Sequence, residues 1–228
     1  MDWFSKLAEQ FSRCFIQDDR YMLLVKGIGV TLEVSLLAVL IGLVIGYFIA
    51  KCNLSKIKFF RGIGRVYTDV IRGTPSVTQL MIIYFVIFAT VPWPKWIIAS
   101  IAFGINSGAY VSEIIRAGIL SIDRGQTEAG RSLGLSDRQT MKHIVMPQAV
   151  KNIFPALCNE FIVLIKETAI VGYVGLMDIQ KAGDFIKSET FIAFMPLIGT
   201  AVIYFVIIKI LTVLLRKLEN RLRASDVR

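Results

Sequence analysis

Glu128-Ala129-Gly130-Arg131-Ser132-Leu133-Gly134 opens a soluble-looking segment, and a polar, helix-forming run follows it to close at Met146-Pro147. Long apolar runs stand on both sides. Two glycines can break this segment, and the small pair Ala129 and Gly130 allows another chain to approach closely. The pattern predicts a helix-turn-helix platform for a second protein, carried on a loop of about residues 117–150.

Of the 228 residues, 55% are hydrophobic, in runs longer than a globular core helix needs. That composition predicts an all-α integral membrane protein. Five transmembrane helices are expected, at Gly27–Ala50, Gly64–Val91, Ile97–Ile115, Ile153–Leu176 and Phe191–Leu215. The second is the least regular: its uninterrupted apolar part, Leu80–Val91, is too short for a ~30 Å hydrocarbon layer and needs the turns around Arg72-Gly73-Thr74-Pro75. Residues 1–20 place Trp3, Phe4, Leu7, Ala8, Phe11 and Phe15 at helical spacing between Asp2, Lys6, Glu9 and Arg13. They predict an amphipathic interfacial helix and not a cleavable signal. The membrane domain then covers residues 21–218, and 219–228 form a basic tail.

Lys and Arg collect on the cytoplasmic side of membrane proteins. Of the 26, segments 51–65, 116–151 and 216–228 hold 16, and segments 1–29, 91–96 and 173–190 hold 7. The expected orientation puts the N-terminus outside, with the Glu128 loop and the C-terminus in the cytoplasm. The net charge of +9 then reflects orientation and contact with anionic lipid, with no nucleic acid required. Trp93 and Trp96 suit an aromatic belt at the outer interface.

Several chemistries are excluded. Cys14, Cys52 and Cys158 fall outside, inside and within the membrane, so no disulfide framework is expected. His143 stands alone, which removes most zinc and histidine-base schemes, so no catalytic residue and no metal site is expected. No Gly-x-x-x-x-Gly-Lys-Ser/Thr loop occurs, and too little chain lies outside the membrane for a nucleotide-binding domain.

Polar groups at membrane depth are the functional candidates, because they cost free energy there. By helical rise, Gln79 lies ~18 Å in from Val91, Asn106 ~13 Å in from Ile97, and Glu160 ~10 Å in from Ile153. All three cluster near mid-membrane. Asn106, Tyr110 and Glu113 share one helix face, which serves equally as helix-packing glue. Glu160 needs a cation, a proton or strong donors. A bound cationic or zwitterionic ligand could supply them, or Glu160 could pair with Lys166 or bond Asn159 and Asn106. Asp69 and Arg72 are spaced as a local ion pair.

These residues carry a resemblance to a known family. Gly108-Ala109-Tyr110, Glu113, Arg116, Gly125-Gln126-x-Glu128-Ala129, Gly134-Leu135, Pro147-Gln148 and Lys166-x-Thr168 stand in one ordered set. Together with Ile71-Arg72-Gly73-Thr74-Pro75 and Gln79, this set resembles the polar amino-acid permease subunits of bacterial ATP-binding-cassette importers, of the histidine/arginine/glutamine type. The likeness covers roughly residues 20–215. There are departures: Gly130 replaces the usual second alanine of the Glu-Ala-Ala signature, Met146 precedes Pro147 where leucine is usual, and Lys166-Glu167-Thr168-Ala169 differs from Lys-Asp-Thr-Ser.

The resemblance implies a type I importer fold in the cytoplasmic membrane, with a coupling helix. It implies a second permease subunit, identical or paralogous, two separate ATPase subunits holding ATP and Mg, and an extracytoplasmic amino-acid-binding protein. This chain itself would carry no cofactor. Glu128, Ala129, Gly130 and Gly134 would couple to the ATPase, and Thr74, Gln79, Asn106, Tyr110, Asn159 and Glu160 would face the substrate. Gly134 is expected to permit a turn or a close approach that bulk would obstruct. Glu160 favours a polar or basic amino acid over an acidic one, since two carboxylates at close range in a low dielectric repel. The competing reading is a self-contained channel or ion-driven carrier lined by Gln79, Asn106 and Glu160, which inverted repeats would support; none is apparent. A membrane-embedded enzyme lacks a nucleophile-base pair.

Overall fold

The computed structural model describes residues 3–223; Met1 and Asp2 of the N-terminal helix and residues 224–228 of the tail lie outside the described residues. In chain order the helices are α1 (Trp3–Phe11), α2 (Tyr21–Asn53), α3 (Lys58–Arg72), α4 (Ser76–Ile82), α5 (Lys95–Leu120), α6 (Arg124–Ser132), α7 (Asp137–Thr140), α8 (Met146–Glu167), α9 (Ile179–Thr190) and α10 (Phe194–Arg223). The tail expected from residue 219 therefore begins inside α10.

The span expectations are revised in two places. Among the described residues, three helices are long and apolar enough to cross a membrane: Tyr21–Asn53, Lys95–Leu120 and Phe194–Arg221. The expected span at Gly64–Val91 is a broken pair, α3 and the Ser76–Ile87 segment, bent by 104°. Pro75 causes the break, because the ring forces the residue before it out of helical geometry and Pro75 itself is extended (φ −64°, ψ 135°). The expected span at Ile153–Leu176 is instead α8, which starts earlier and ends at Glu167, followed by a tighter 3₁₀ coil over Thr168–Val174. With Lys151, Asn159, Glu160 and Lys166 along it, α8 is not among the helices apolar enough to cross alone.

Met146-Pro147 does not close the polar run. A wide helical turn over Met141–Val145 leads into α8 without interruption. Pro147 follows directly on that wide turn inside the continuous helix, and its ring has no N–H to donate back to the preceding turn. A further element was not legible: α9 lies in the segment expected to be an external loop.

By contacts the chain divides into two compact units. The first comprises Met1–Ala38, Pro75–Phe103 and Val163–Leu211. Its core sets Cys14, Phe15 and Leu24 against Ile179, Ala182 and Ile186, so α9 is held by apolar contact. Asp178, fully buried, caps α9 by accepting the N–H groups of Gln180 (3.2 Å) and Lys181 (2.9 Å), and it accepts the Tyr204 hydroxyl at 3.2 Å. Burial pushes this carboxyl above the usual carboxylate range, while those donors pull against the shift.

The second unit comprises Val39–Thr74, Gly104–Ile162 and Thr212–Arg228. Here α2 meets α5 through small residues. A Cβ built on Gly42 would lie 3.0 Å from Ser107 Cβ, and one on Gly46 would run into Val111. Close backbone approach of this kind is how spans associate where lipid is as apolar as the side chains. Tyr67 donates its hydroxyl to the Ile105 carbonyl at 2.5 Å and ties α3 to the same helix.

Candidate functional site

The segment 123–140 forms two short helices joined by a tight turn. Asp123 caps α6, accepting Gly125 N–H at 2.6 Å. At the other end, Leu135 N–H bonds the Gly130 carbonyl (3.1 Å) and Gly134 N–H bonds the Arg131 carbonyl (3.0 Å), the paired pattern of a Schellman termination. Gly134 sits at φ +85°, the left-handed region that a side chain disfavours. A Cβ there would meet nothing within 4 Å. Within this chain the left-handed turn is what requires a glycine at position 134.

Close approach belongs to Gly130. It is buried, and a Cβ on it would lie 2.7 Å from Ile144 Cδ1 and 2.9 Å from Thr140 Cγ2. The helix after the turn starts with a capping box: Ser136 Oγ accepts Gln139 N–H (3.3 Å), and Gln139 Oε1 accepts Ser136 N–H (2.9 Å). Arg131 reaches the Leu135 carbonyl at 2.7 Å and Asp137 at 3.3 Å. Gln148 donates to Gln126 (3.4 Å), and Asn152 donates to Ser121 (2.9 Å), joining the start of α8 to the other side of the loop. The loop is thus one stiff wedge continuous with α8. Glu128 and Ala129 are exposed on it, and Leu133 stands at its turn with 81% of its surface open. Sequence reasoning passed over Leu133. An apolar residue at a polar turn is the signal that would have found it.

Within the apolar helices, α5 and α8 bring a second set together. Ser107 donates its hydroxyl to Glu160 Oε1 at 2.9 Å. Asn106 is 4% exposed beside it, and Ser107 is fully buried. Asn159 precedes Glu160 on α8 and is exposed. One turn further along α5, the Tyr110 ring lies under the Arg72 guanidinium, 5.4 Å from ring centre to Cζ, a cation–π distance. Glu113 and Arg116, at i and i+3, pair at 2.7 Å with both Glu113 oxygens accepting from Nε at 3.1 Å. Asp69 and Arg72 line a polar cavity of about 320 Å³ with this pair, Arg65, Thr68 and Asn53. Thr74, exposed at the end of α3, donates to the Val70 carbonyl at 2.9 Å. Gln79 is buried in α4 and belongs to the other unit. Ser107 was not singled out in the sequence; a small hydroxyl beside Asn106 on a buried face was its signal.

Residues 42–224 match the family described as "Binding-protein-dependent transport system inner membrane component". The chain belongs to that family: it is a multi-pass inner-membrane permease component of a transport system, and its fold is that of the type I importer permeases. Among its relatives, the chain is 41% identical to a putative glutamine transport system permease protein GlnP of Rickettsia bellii, over 90% of this chain and 95% of that one. It is 40% identical to the arginine transport system permease protein ArtQ of Bacillus subtilis, over 89% and 94%. A crystal structure of an amino acid ABC transporter with histidines contains a chain 41% identical to this one, superposing with a TM-score of 0.82 over 97% of this chain and 99% of that one. The methionine ABC transporter MetNI, in inward-facing conformations, shares the fold at 19% identity, with a TM-score of 0.78 over 90% and 99%.

Proposed function

We propose that this chain is the membrane-spanning permease subunit of an ATP-driven importer that carries a polar amino acid inward by alternating access. The relatives named above transport glutamine or arginine by name, which supports the amino-acid class. The observation that carries the reading is the Ser107–Glu160 hydrogen bond between α5 and α8, which ties a half-buried carboxylate to the buried face of α5 that also carries Asn106. Every amino acid brings an α-ammonium that such a carboxylate can hold once water is gone. Asn159, next to Glu160 on α8, and Thr74, at the end of α3, are further candidate contacts. A glutamate-like substrate would add a second carboxylate and is disfavoured. Family membership favours this reading over a self-contained channel, because the family's transport depends on a binding protein.

Two ATPase subunits, holding ATP and Mg, would dock on the wedge at Glu128, Ala129 and Leu133. A second permease subunit and an external binding protein complete the assembly. The wedge lies in the cytoplasm in this scheme, with coupling loop 117–150, interfacial helix 1–20 outside and tail 219–228 inside. The stiffness of the wedge and its continuity with α8 are what allow ATPase closure to move the spans.

Uptake into vesicles containing the whole importer, measured against a panel of amino acids, tests class and substrate together. Uptake of glutamine or a basic amino acid is expected; efficient carriage of glutamate or aspartate overturns the charge argument. Orientation is tested separately. Single cysteines at Ser55 and Ser188 in a cysteine-free variant should label from inside and outside respectively, and labelling of both from one side overturns the topology.

A further inference from the structure

In the second unit, the ends of α2, α5 and α8 nearest the wedge enclose an apolar groove of about 650 Å³. Tyr47 and Leu54 come from α2, Ile115 and Ile119 from α5, and Val150 and Ile153 from α8. The lining includes Lys51, in the last turn of α2, and no acidic residue.

We propose that this groove holds an acyl chain of an anionic phospholipid from the cytoplasmic leaflet, with the phosphate of its headgroup against Lys51. The inference rests on the orientation given above. Three observations carry it. An open apolar groove is unfavourable when filled with water, and the only abundant apolar molecule at this membrane depth is lipid. The lysine faces no carboxylate in the lining, so the complementary charge must come from the occupant, and basic pockets between helices on the cytoplasmic side are suited to anionic headgroups. Lys58 and Arg61 follow in the next stretch of chain and add positive charge, while Lys56 pairs with Asp137 at 3.7 Å.

The position has a consequence for coupling. Met141 and Met146, which begin and follow the wide turn between the wedge and α8, also line the groove. Their flexible thioethers adapt to an occupant of irregular shape. A bound chain would brace the joint through which the wedge moves α8.

The test uses the complete importer in vesicles of phosphatidylethanolamine and phosphatidylglycerol, with Val150→p-benzoylphenylalanine as a photocrosslinker. Val150 is 44% exposed and so takes the larger side chain without loss of core packing. Leu40, 53% exposed on α2, carries the same group in a control that samples bulk lipid. Mass spectrometry of the photoproducts should give a phosphatidylglycerol-to-phosphatidylethanolamine ratio about fivefold higher at Val150 than at Leu40, the worth of one lysine against an anionic headgroup. Lys51→Gln should bring that ratio down to the Leu40 value. Equal ratios at the two positions, insensitivity to Lys51→Gln, the absence of any lipid product, or a product with a second permease chain would each overturn the proposal. Uptake is recorded on the same vesicles, and cysteine labelling at Ser55 reports orientation independently, so failure of the lipid site is distinguishable from failure of the transport reading.

Discussion

The wedge at 123–140 and the polar cluster around Glu160 belong to the same unit, and they are held in opposite ways. Every bond that shapes the wedge's turn spans six residues or fewer: the Asp123 cap, the Schellman pair at Gly134, the capping box at Ser136. Glu160 instead accepts a bond from Ser107, 53 residues away. A locally held element keeps its shape while its surroundings move, which suits a lever. A cluster held by long-range contacts between spans changes whenever the spans change, which suits a site that must release what it binds. The two functional regions thus differ in how strongly the rest of the protein determines them.

Substitution should expose this difference, and the largest effect is expected at the cluster. Glu160→Gln keeps the volume and the Ser107 contact but removes the charge. Loss of a hydrogen-bonded charge facing a bound cation is worth ~1.5–3 kcal/mol, so uptake should fall roughly 10–100-fold. Membrane insertion and the affinity of the binding protein for its ligand should be unchanged. Wild-type uptake of every amino acid by this variant would remove Glu160 from the pathway and erase the functional side of the contrast. Ser107→Ala should produce a smaller loss in the same assay, since the carboxylate survives with one donor fewer.

A second, intermediate effect belongs to Gly134. Gly134→Val forces a β-branched residue to φ +85°, at a strain cost of ~1–2 kcal/mol that opens the turn. Because a Cβ there touches nothing, the defect is confined to the direction of the chain. The expected result is an importer that assembles and hydrolyses ATP but moves less substrate per ATP, read as the ratio of uptake to phosphate release. An unchanged ratio would show that the turn's geometry is irrelevant to coupling.

The contrast also explains what the sequence revealed. The turn was legible in Gly134 and in the small pair Ala129-Gly130, because caps and left-handed glycines are written in adjacent residues. The span around Gly64–Val91 was legible as irregular for the same local reason, Pro75, although the 104° bend was not. Helix α9 was missed because its apolar residues Ile179, Ala182 and Ile186 are spaced among charges and find their partners in Cys14, Phe15 and Leu24. Ser107 was missed because nothing within a helix turn of it names Glu160. Pairings across 53 residues depend on packing angles that no local pattern encodes.

The smallest expected effect is also the one where sequence expectation and structure oppose each other. Alanine is usual in the family where this chain has Gly130, and alanine is the better helix former by ~1 kcal/mol. On propensity alone Gly130→Ala should stabilise α6. The structure argues for the other sign. The new methyl would stand 2.7 Å from Ile144 Cδ1, a flexible tip that can rotate away, but also 2.9 Å from Thr140 Cγ2. Thr140 is 1% exposed and β-branched, so its side chain has little freedom to yield. Overpacking of this kind costs ~1–3 kcal/mol, which outweighs the propensity gain. Gly130→Ala should therefore loosen the wedge by about 1 kcal/mol net, seen as faster amide hydrogen exchange over residues 124–140 in the assembled importer. The pair Gly130→Ala with Thr140→Ser, which deletes the opposing methyl, should restore or exceed wild-type protection. Slower exchange in the single variant would mean that helix propensity governs the wedge after all, and that its packing at Gly130 is incidental.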